Sequence, residues 1–223
     1  AKEPPAIAAA GTGSAGTAGN DPQKNQSLEL GTKWELLDDR LLLGAALFRT
    51  ERTNEPIDND GISETPEVFD GERRVQGVEL NATGRITEAW SVYAAYTYQD
   101  SEILKYDEGS PIRGEILADT PEHSASVWTT YAFPFGLEIG GGVQYVGERK
   151  PGPADSDRDW RLDSYPIVDL MVSYRINQAF SLRLNVNNAT DEEYFERPRA
   201  SGSYAFAIPG EGRNAMLALH YDF

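Results

Sequence analysis

From residue 26 onward the sequence repeats one pattern, in which apolar side chains occupy alternate positions through runs of roughly ten residues. A period of two turns successive side chains to opposite faces of an extended chain, so each run is predicted as a β-strand. The nine predicted strands are 26–36, 40–50, 74–86, 90–100, 123–133, 137–148, 164–176, 180–188 and 213–223.

The connections between these runs alternate between short and long. An up-and-down antiparallel sheet puts every short connection at one rim and every long one at the other, which is the plan of a transmembrane barrel. Strands of about 9–11 residues suit a tilted crossing of the hydrocarbon layer, whereas soluble strands are nearer about 5–6 residues. The sequence therefore predicts an all-β fold, a segment of a transmembrane antiparallel up-and-down β-barrel. Short connections are predicted at 37–39, 87–89, 134–136 and 177–179, and long ones at 51–73, 101–122, 149–163 and 189–212.

Each run separates apolar side chains from polar ones. Charged residues on the inner face of a soluble sandwich would be buried without water, whereas the lumen of a wide barrel is wet. The polar face is therefore predicted to line a lumen and the apolar face to meet lipid, with a soluble β-sandwich as the alternative. In the seventh run the apolar face holds Val168, Leu170, Val172, Tyr174 and Ile176, and the polar face holds Asp169, Ser173 and Arg175.

Composition excludes several classes of function. The 223 residues include 20 basic and 36 acidic side chains, and the formal charge of −16 argues against nucleic-acid binding, because phosphate contacts need clustered Lys and Arg. Cysteine is absent, so the sequence offers no disulfide, thiolate metal site or cysteine nucleophile. No apolar stretch approaches the length of about 18 residues that a transmembrane helix needs. Residues 1–25 are predicted as a mobile loop or linker, and residues 26–223 as the barrel portion.

Blocks of the sequence, taken in order, carry a family resemblance. They include VQGVELNATGRITEAWSVYAAYTYQDSEI at 75–103, TPEHSASVWTTY at 120–131, LNVNNATDEEYF at 184–195 and GRNAMLALHYDF at 212–223. Through them the chain resembles TonB-dependent outer-membrane receptors of the ferric catecholate-type siderophore branch, over nearly its whole length after residue 25. The resemblance implies the C-terminal part of a barrel of about 22 strands, so about 13 strands, the plug domain and the TonB box are expected outside this sequence.

The resemblance also implies a function, which is energy-coupled uptake of a ferric siderophore across the bacterial outer membrane. The implied partners are the siderophore, the TonB complex acting through the plug, the barrel-assembly machinery, and outer-membrane lipid and lipopolysaccharide. No cofactor is expected, since iron travels within the siderophore. Alternatives are a passive porin, an adhesin or autotransporter barrel, and uptake of haem, cobalamin or a sugar. The apolar face that ends the last strand resembles an assembly signal and comprises Leu217, Leu219, Tyr221 and Phe223.

Two long connections combine cationic side chains with aromatic ones. Guanidinium groups and aromatic faces together can hold an anionic catecholate or hydroxamate iron complex. The connection 51–73 instead carries eight acidic residues beside Arg52 and Arg73, so it is expected to repel such a ligand. For every residue the alternative is an ordinary loop stabilised by local ion pairs. The candidate ligand-binding residues are Arg149, Lys150, Arg158, Trp160, Arg161, Tyr194, Arg197, Arg199, Tyr204 and Phe206.

The sequence contains no recognisable catalytic arrangement, so no enzyme activity is predicted. The two histidines, His123 and His220, fall in different strands, and His220 is expected to face the lumen. Ser124 and Ser126 follow His123 closely but lack the strained turn that exposes a nucleophilic serine. No metal site is predicted.

Overall fold

The computed structural model describes residues 22–57, 68–106, 113–151, 160–201 and 204–222. Within these ranges the chain forms β-strands and no helix, so no described segment is a helix long and apolar enough to span a membrane. The strands are β1 (Lys24–Leu36), β2 (Leu41–Ile57), β3 (Val68–Arg85), β4 (Trp90–Lys105), β5 (His123–Ala132), β6 (Leu137–Val146), β7 (Tyr165–Arg175), β8 (Phe180–Asn187), β9 (Phe195–Ser201), β10 (Tyr204–Pro209) and β11 (Asn214–Tyr221).

Nine of the strands form one sheet, in the order β1-β2-β3-β4-β5-β6-β7-β8-β11, and every pair in it is antiparallel. Each of the nine predicted runs corresponds to one strand of this sheet, so the predicted all-β antiparallel fold is confirmed. Sequence-order pairing puts all short connections at one rim, which we call the short-turn rim, and all long ones at the opposite, long-loop rim. The short connections are 37–40, 86–89, 133–136 and 176–179, each one residue longer than predicted.

The predicted connection 51–73 is largely strand, which corrects its boundaries. β2 continues to Ile57 and β3 begins at Val68, with register shifts around Glu55. The register sets Arg52 directly opposite Arg73, an arrangement of like charges that would destabilise the pairing by itself. Buried Glu55 offsets this repulsion, because its carboxylate lies 3.0 Å from the Arg52 guanidinium and 2.6 Å from that of Arg73. The two arginines are therefore strand residues bound to a shared carboxylate.

The predicted connection 101–122 is also shorter than expected, because β4 continues to Lys105. Residues beyond it fold back onto the strand, where the Ile103 amide donates to the Glu115 carbonyl at 3.0 Å and the Gly114 amide donates to the Ile103 carbonyl at 2.9 Å. Ser101 and Ile103 are buried beneath this segment. Hydrogen bonds between distant segments produce no periodic pattern of apolar residues in the sequence. The continuation of β4 to Lys105 could therefore not be predicted from that pattern.

The register confirms that apolar residues of neighbouring strands share one face. Val172 of β7 lies opposite Ile139 of β6 and Leu184 of β8, and Leu184 lies opposite Leu217 of β11. These four side chains form an apolar row across the sheet, and all are exposed. The opposite face of the same strands is polar.

Little hydrophobic surface is buried. Among the described residues the buried hydrophobic side chains are Ile103, Ile167 and Met171, while the apolar face of the large sheet lies open. A water-soluble protein rarely exposes an apolar patch of this extent. Within the described residues no second layer covers this face, and contact with lipid accounts for its exposure.

Aromatic side chains gather near the short-turn rim. Tyr131 packs edge-on against Phe133 with 4.8 Å between ring centroids, and Phe180 lies 4.7 Å from Tyr221. Trp90 directs its indole N–H to the Thr129 hydroxyl at 2.7 Å. Amphipathic rings in such a row are typical of the border between hydrocarbon and water.

The last strand of the sheet, β11, pairs with β8 from Asn214 to Tyr221. Leu217, Leu219 and Tyr221 lie on one apolar face of this strand and are exposed, and their role as an assembly signal stays a prediction. Phe223, the fourth residue of that signal, lies outside the described residues. The strand order makes β1 and β11 the two edges of the sheet.

Candidate ligand-binding site at the long-loop rim

The predicted connection 189–212 is not a simple loop, because it contains the β9–β10 hairpin, which pairs apart from the large sheet. Its register sets Arg197 opposite Ile208 and Arg199 opposite Phe206. Cross-strand partners share a face, as do residues two apart on one strand. We call the face that holds Arg197, Phe206 and Ile208 the hairpin face, and Arg199 and Tyr204 belong to it by backbone register alone. Phe195 pairs with Pro209 across a register shift and is not assigned to this face.

The hairpin face is open to solvent where its side chains are described. Phe206 and Ile208 are 57 % and 48 % exposed, and Arg197 is exposed as well. Arg199 and Tyr204 belong to the face by register, and their side chains lie outside the described part of the molecule. On the other side of the hairpin Pro198 is buried completely. One side of the hairpin thus packs against the protein while the other presents aromatic, aliphatic and guanidinium groups together.

The base of the hairpin rests on two stacked tyrosines. The ring of Tyr194, just before β9, lies 4.6 Å from the ring of Tyr165 at the start of β7. The Gly210 amide, just after β10, donates to the Tyr194 carbonyl at 2.8 Å. Burial and the nearby Glu196 carboxylate raise the pKa of the Tyr194 hydroxyl above its usual range. The Tyr194 hydroxyl is therefore protonated and neutral at physiological pH.

Asn188 fixes the chain where it leaves β8, and it is 2 % exposed. Its side-chain amide donates to the carbonyls of Glu192 at 2.9 Å and Glu211 at 3.1 Å, and its side-chain oxygen accepts from the Glu192 amide at 2.8 Å. Its φ of 49° lies in the left-handed region, which asparagine tolerates better than most residues. Asn188 thereby ties both ends of the hairpin to the sheet. The sequence analysis missed this role, although an Asn pair directly after a strand is a turn signal.

Arg149 follows β6 and is only 5 % exposed. Its Nη1 donates to the Asp119 carboxylate at 2.9 Å and to the Glu196 carbonyl at 2.6 Å, while its Nη2 donates to the Phe195 carbonyl at 2.5 Å. The guanidinium carbon also lies 5.6 Å from the centre of the Tyr165 ring. The guanidinium of Arg149 is therefore bound to other groups of the protein. A direct contact between Arg149 and a ligand stays a prediction, and this geometry does not support it.

Two of the other predicted residues of the connection after β6, Lys150 and Arg161, line one cavity of about 500 Å³ on the polar side of the sheet. Lys150 is mostly buried, and its ammonium lies 3.1 Å from the Glu115 carboxylate. Arg161 is half exposed and pairs with Glu148 at 2.5 Å, and Trp160 beside it is exposed. Arg158 lies outside the described residues. Ligand roles for these residues stay predictions, and those of Lys150 and Arg161 would compete with existing ion pairs.

A cavity of about 270 Å³ opens between the hairpin base and the polar face of β6, β7 and β8. Asp169, Glu196 and Glu211 contribute carboxylates to its lining, beside Tyr165 and Tyr194. An anionic ligand is disfavoured there by like charge. In the described ranges no group of three or more His, Asp or Glu side chains is arranged to hold a metal ion.

Of the ten predicted residues, Arg197 and Phe206 lie on the hairpin face, and Arg199 and Tyr204 share it by backbone register alone. Lys150 and Arg161 lie elsewhere and line one cavity together. The hairpin face adds Ile208, which the sequence analysis did not select, although the pair Gly202-Ser203 is a hairpin-turn signal.

Comparison with known proteins relates this geometry to a family. A family model described as "TonB dependent receptor-like, beta-barrel" matches residues 3–189. The chain belongs to this family. The family match assigns the protein to the bacterial outer membrane, so the apolar face meets lipid and the polar face lines the lumen. In such barrels the short-turn rim faces the periplasm and the long-loop rim faces outward, which places the hairpin face on the extracellular side.

The relatives are siderophore receptors by name. The probable TonB-dependent siderophore receptor PiuA of Acinetobacter baumannii is 36 % identical over 91 % of this chain and 27 % of PiuA. The catecholate siderophore receptor Fiu of Escherichia coli K12 is 35 % identical over 98 % of this chain and 28 % of Fiu. The closed-form crystal structure of Fiu matches with a TM-score of 0.81 at 34 % identity, covering 98 % of this chain and 31 % of Fiu. The chain thus spans little more than a quarter of the length of these relatives.

Proposed function

We propose that the receptor to which this chain contributes takes up a ferric siderophore, of the catecholate type, by TonB-coupled transport. The observation that carries the proposal is the hairpin face, where Arg197 and Phe206 lie exposed on one surface at the extracellular rim. The name of Fiu supports a catecholate ligand, and the name of PiuA supports a siderophore. Because these relatives are named as siderophore receptors, we assign the chain a role in transport and propose no enzymatic activity for it.

The proposed chemistry at the hairpin face is recognition of an anionic, ring-bearing ligand. Guanidinium groups of Arg197 and Arg199 would neutralise the charge that deprotonated catecholates give the iron complex. The rings of Tyr204 and Phe206 would stack on the catechol rings. Local cations matter because the chain as a whole carries a formal charge of −16 and would otherwise repel such a ligand. Iron enters as part of the cargo, and we propose no resident cofactor.

The remaining proposed partners follow from the family. The plug and the TonB complex would supply energy coupling, and these parts lie outside the present chain. Leu217, Leu219, Tyr221 and Phe223 would be read by the barrel-assembly machinery before β11 pairs with the first strand of a barrel of about 22 strands. The apolar face would contact lipid, with lipopolysaccharide at the extracellular side. The predicted loop at residues 1–25 would lie on the extracellular side, with its last two residues already in β1.

The test uses the full-length receptor, purified in detergent, and the iron(III) complex of 2,3-dihydroxybenzoate as the probe. Arg197→Gln and Phe206→Ala should each raise the Kd about tenfold, because each removes one ligand contact of about 1.4 kcal/mol. The control is Arg85→Gln, at the short-turn rim in an ion pair with Glu88, which should leave the Kd unchanged.

Growth separates the proposed function from its alternatives. An iron-starved strain that lacks its own catecholate receptors should grow on the probe only with the full gene and a working TonB complex. Growth without TonB would indicate a passive porin instead. Another relative, the metal-pseudopaline receptor CntO of Pseudomonas aeruginosa, is 36 % identical over 96 % of this chain. Rescue by a metal chelate of that type, by haem or by cobalamin, with none by the catecholate, would contradict the proposed ligand class.

A further inference from the structure

The position of the β9–β10 hairpin is not set by the large sheet, because neither strand pairs with it. An isolated two-stranded hairpin is marginally stable in water. The geometry of the hairpin therefore depends on its contacts with the rest of the protein, which are made by buried Pro198 on its inner side and by groups at its base. The contacts at the base include the Asn188 side chain, the Tyr194–Tyr165 stack and the Arg149 guanidinium.

Arg149 differs from the other two contacts because it reaches the hairpin from a different connection. It donates to the carbonyls of the first two residues of β9, Phe195 and Glu196, and simultaneously to Asp119 in the connection before β5. The same connections meet again where the Asp119 amide donates to the Lys150 carbonyl at 2.8 Å. Asp119 adopts a φ of 54°, so its backbone is held in the less populated left-handed region at this junction.

We infer that Arg149 is a positioning residue for the ligand site, which joins three extracellular connections and sets the hairpin face without touching the ligand. The inference rests on the proposed function, since it assigns the hairpin face to ligand binding. The guanidinium suits this role because its planar, multiply donating fork bonds a carboxylate and two carbonyls at once. Lysine cannot reproduce that arrangement, since its ammonium is a single point of charge on a flexible stem.

The consequence for affinity follows from the fraction of time that the hairpin is held in place. The apparent Kd equals the intrinsic Kd divided by the populated fraction of the competent state. A variant that holds the hairpin for about a tenth of the time would bind about tenfold more weakly with every ligand contact intact. The nine strands of the large sheet would be unaffected, because Arg149 lies beyond the end of β6.

The experiment uses the full-length receptor in detergent, with Arg149→Gln, Arg149→Lys and Asp119→Asn. Hydrogen exchange of the β9 and β10 amides measures opening of the hairpin, and thermal unfolding measures the stability of the barrel. The Kd is measured with the iron(III)–2,3-dihydroxybenzoate complex. The matched control is Arg74→Gln, because Arg74 is partly buried, lies towards the same rim and pairs with Glu102 at 2.5 Å, but belongs to the β3–β4 pair.

Both Arg149 variants should speed exchange in the hairpin, leave the unfolding temperature of the barrel unchanged and raise the Kd about tenfold. Asp119→Asn should have a smaller effect in the same direction, and Arg74→Gln should have none on the hairpin. A raised Kd with unchanged hairpin exchange would make Arg149 a ligand contact and overturn the inference. Faster exchange with an unchanged Kd would overturn it too, because the hairpin position would then not matter for binding.

If the unmodified receptor does not bind the probe, the proposed function is wrong. The role of Arg149 in holding the hairpin is then tested by hydrogen exchange alone. Faster exchange in Arg149→Gln but not in Arg74→Gln supports the fastening role of Arg149, and equal exchange in both overturns it.

Discussion

Gly210 shows how a single residue can decide the geometry of the hairpin base. A Cβ built on Gly210 would overlap the ring of Tyr194, whose stacking on Tyr165 supports the hairpin. The same addition at Gly212, two residues on, meets no atom closer than 4.0 Å. Gly210 is therefore required by the packing of one aromatic ring, while Gly212 has space for a methyl group.

We predict that Gly210→Ala destabilises the hairpin and that Gly212→Ala does not. Overpacking at a close contact costs about 1–3 kcal/mol, whereas an unhindered surface substitution stays within about 0.5 kcal/mol. The measurement is the free energy of local opening, obtained from hydrogen exchange of the β10 amides. Equal protection in the two variants would show that Tyr194 moves aside easily and does not support the hairpin.

Among the elements, β7 separates its two faces most clearly. Val172 lies in the apolar row between Ile139 and Leu184, and the next residue, Ser173, lies on the polar face between Glu138 and Arg183. The two positions are adjacent in sequence and share neighbouring strands. They differ in what they face, which is lipid for Val172 and the wet lumen for Ser173.

We predict that Val172→Arg destabilises the barrel and Ser173→Arg is tolerated. A cation on the lipid face costs about 2–4 kcal/mol near the bilayer midplane. At position 173 the new cation would be hydrated, and it would meet one acidic and one basic neighbour, so the change should stay within about 0.5 kcal/mol. Urea unfolding of the receptor in lipid vesicles measures both, and equal costs would contradict the assigned faces.

At the scale of the whole molecule, the large sheet has two edges. β1 contributes 13 residues and β11 contributes eight, and the strand order pairs each of them on one side only. An unpaired backbone group in hydrocarbon costs several kcal/mol, so a sheet is stable in a membrane only when its edges meet other strands. These two edges therefore need strands beyond the nine described.

We predict that a polypeptide limited to residues 1–223 does not fold stably in the outer membrane, while the full-length receptor does. Membrane fractionation and the shift of unheated samples on denaturing gels distinguish folded from unfolded barrels. Recovery of the 223-residue polypeptide as a stable, membrane-inserted monomer would contradict the prediction. Such a result would mean that the nine strands close on themselves.

The presence of the nine strands of the large sheet, their order and their faces could be predicted from the sequence, although the outer ends of β2, β3 and β4 could not. Alternation of residues such as Leu170, Val172 and Tyr174 with Asp169 and Ser173 is local, and a pleated strand converts it directly into two faces. The alternation of short and long connections set the two rims by simple geometry, because consecutive antiparallel strands must run in opposite directions. The family resemblance added the outer-membrane context.

What only the tertiary structure decided were contacts between segments distant in sequence. Arg149 looked like a ligand residue because guanidinium and aromatic groups share its connection, yet its partners Asp119 and Glu196 lie 30 and 47 positions away. Arg52 and Arg73 were predicted in a loop, but the structure places both in strands, where they bind the carboxylate of Glu55. The local sequence shows which chemical group a side chain carries. Whether that group binds another part of the protein or remains accessible to a ligand depends on which distant segment the fold places beside it.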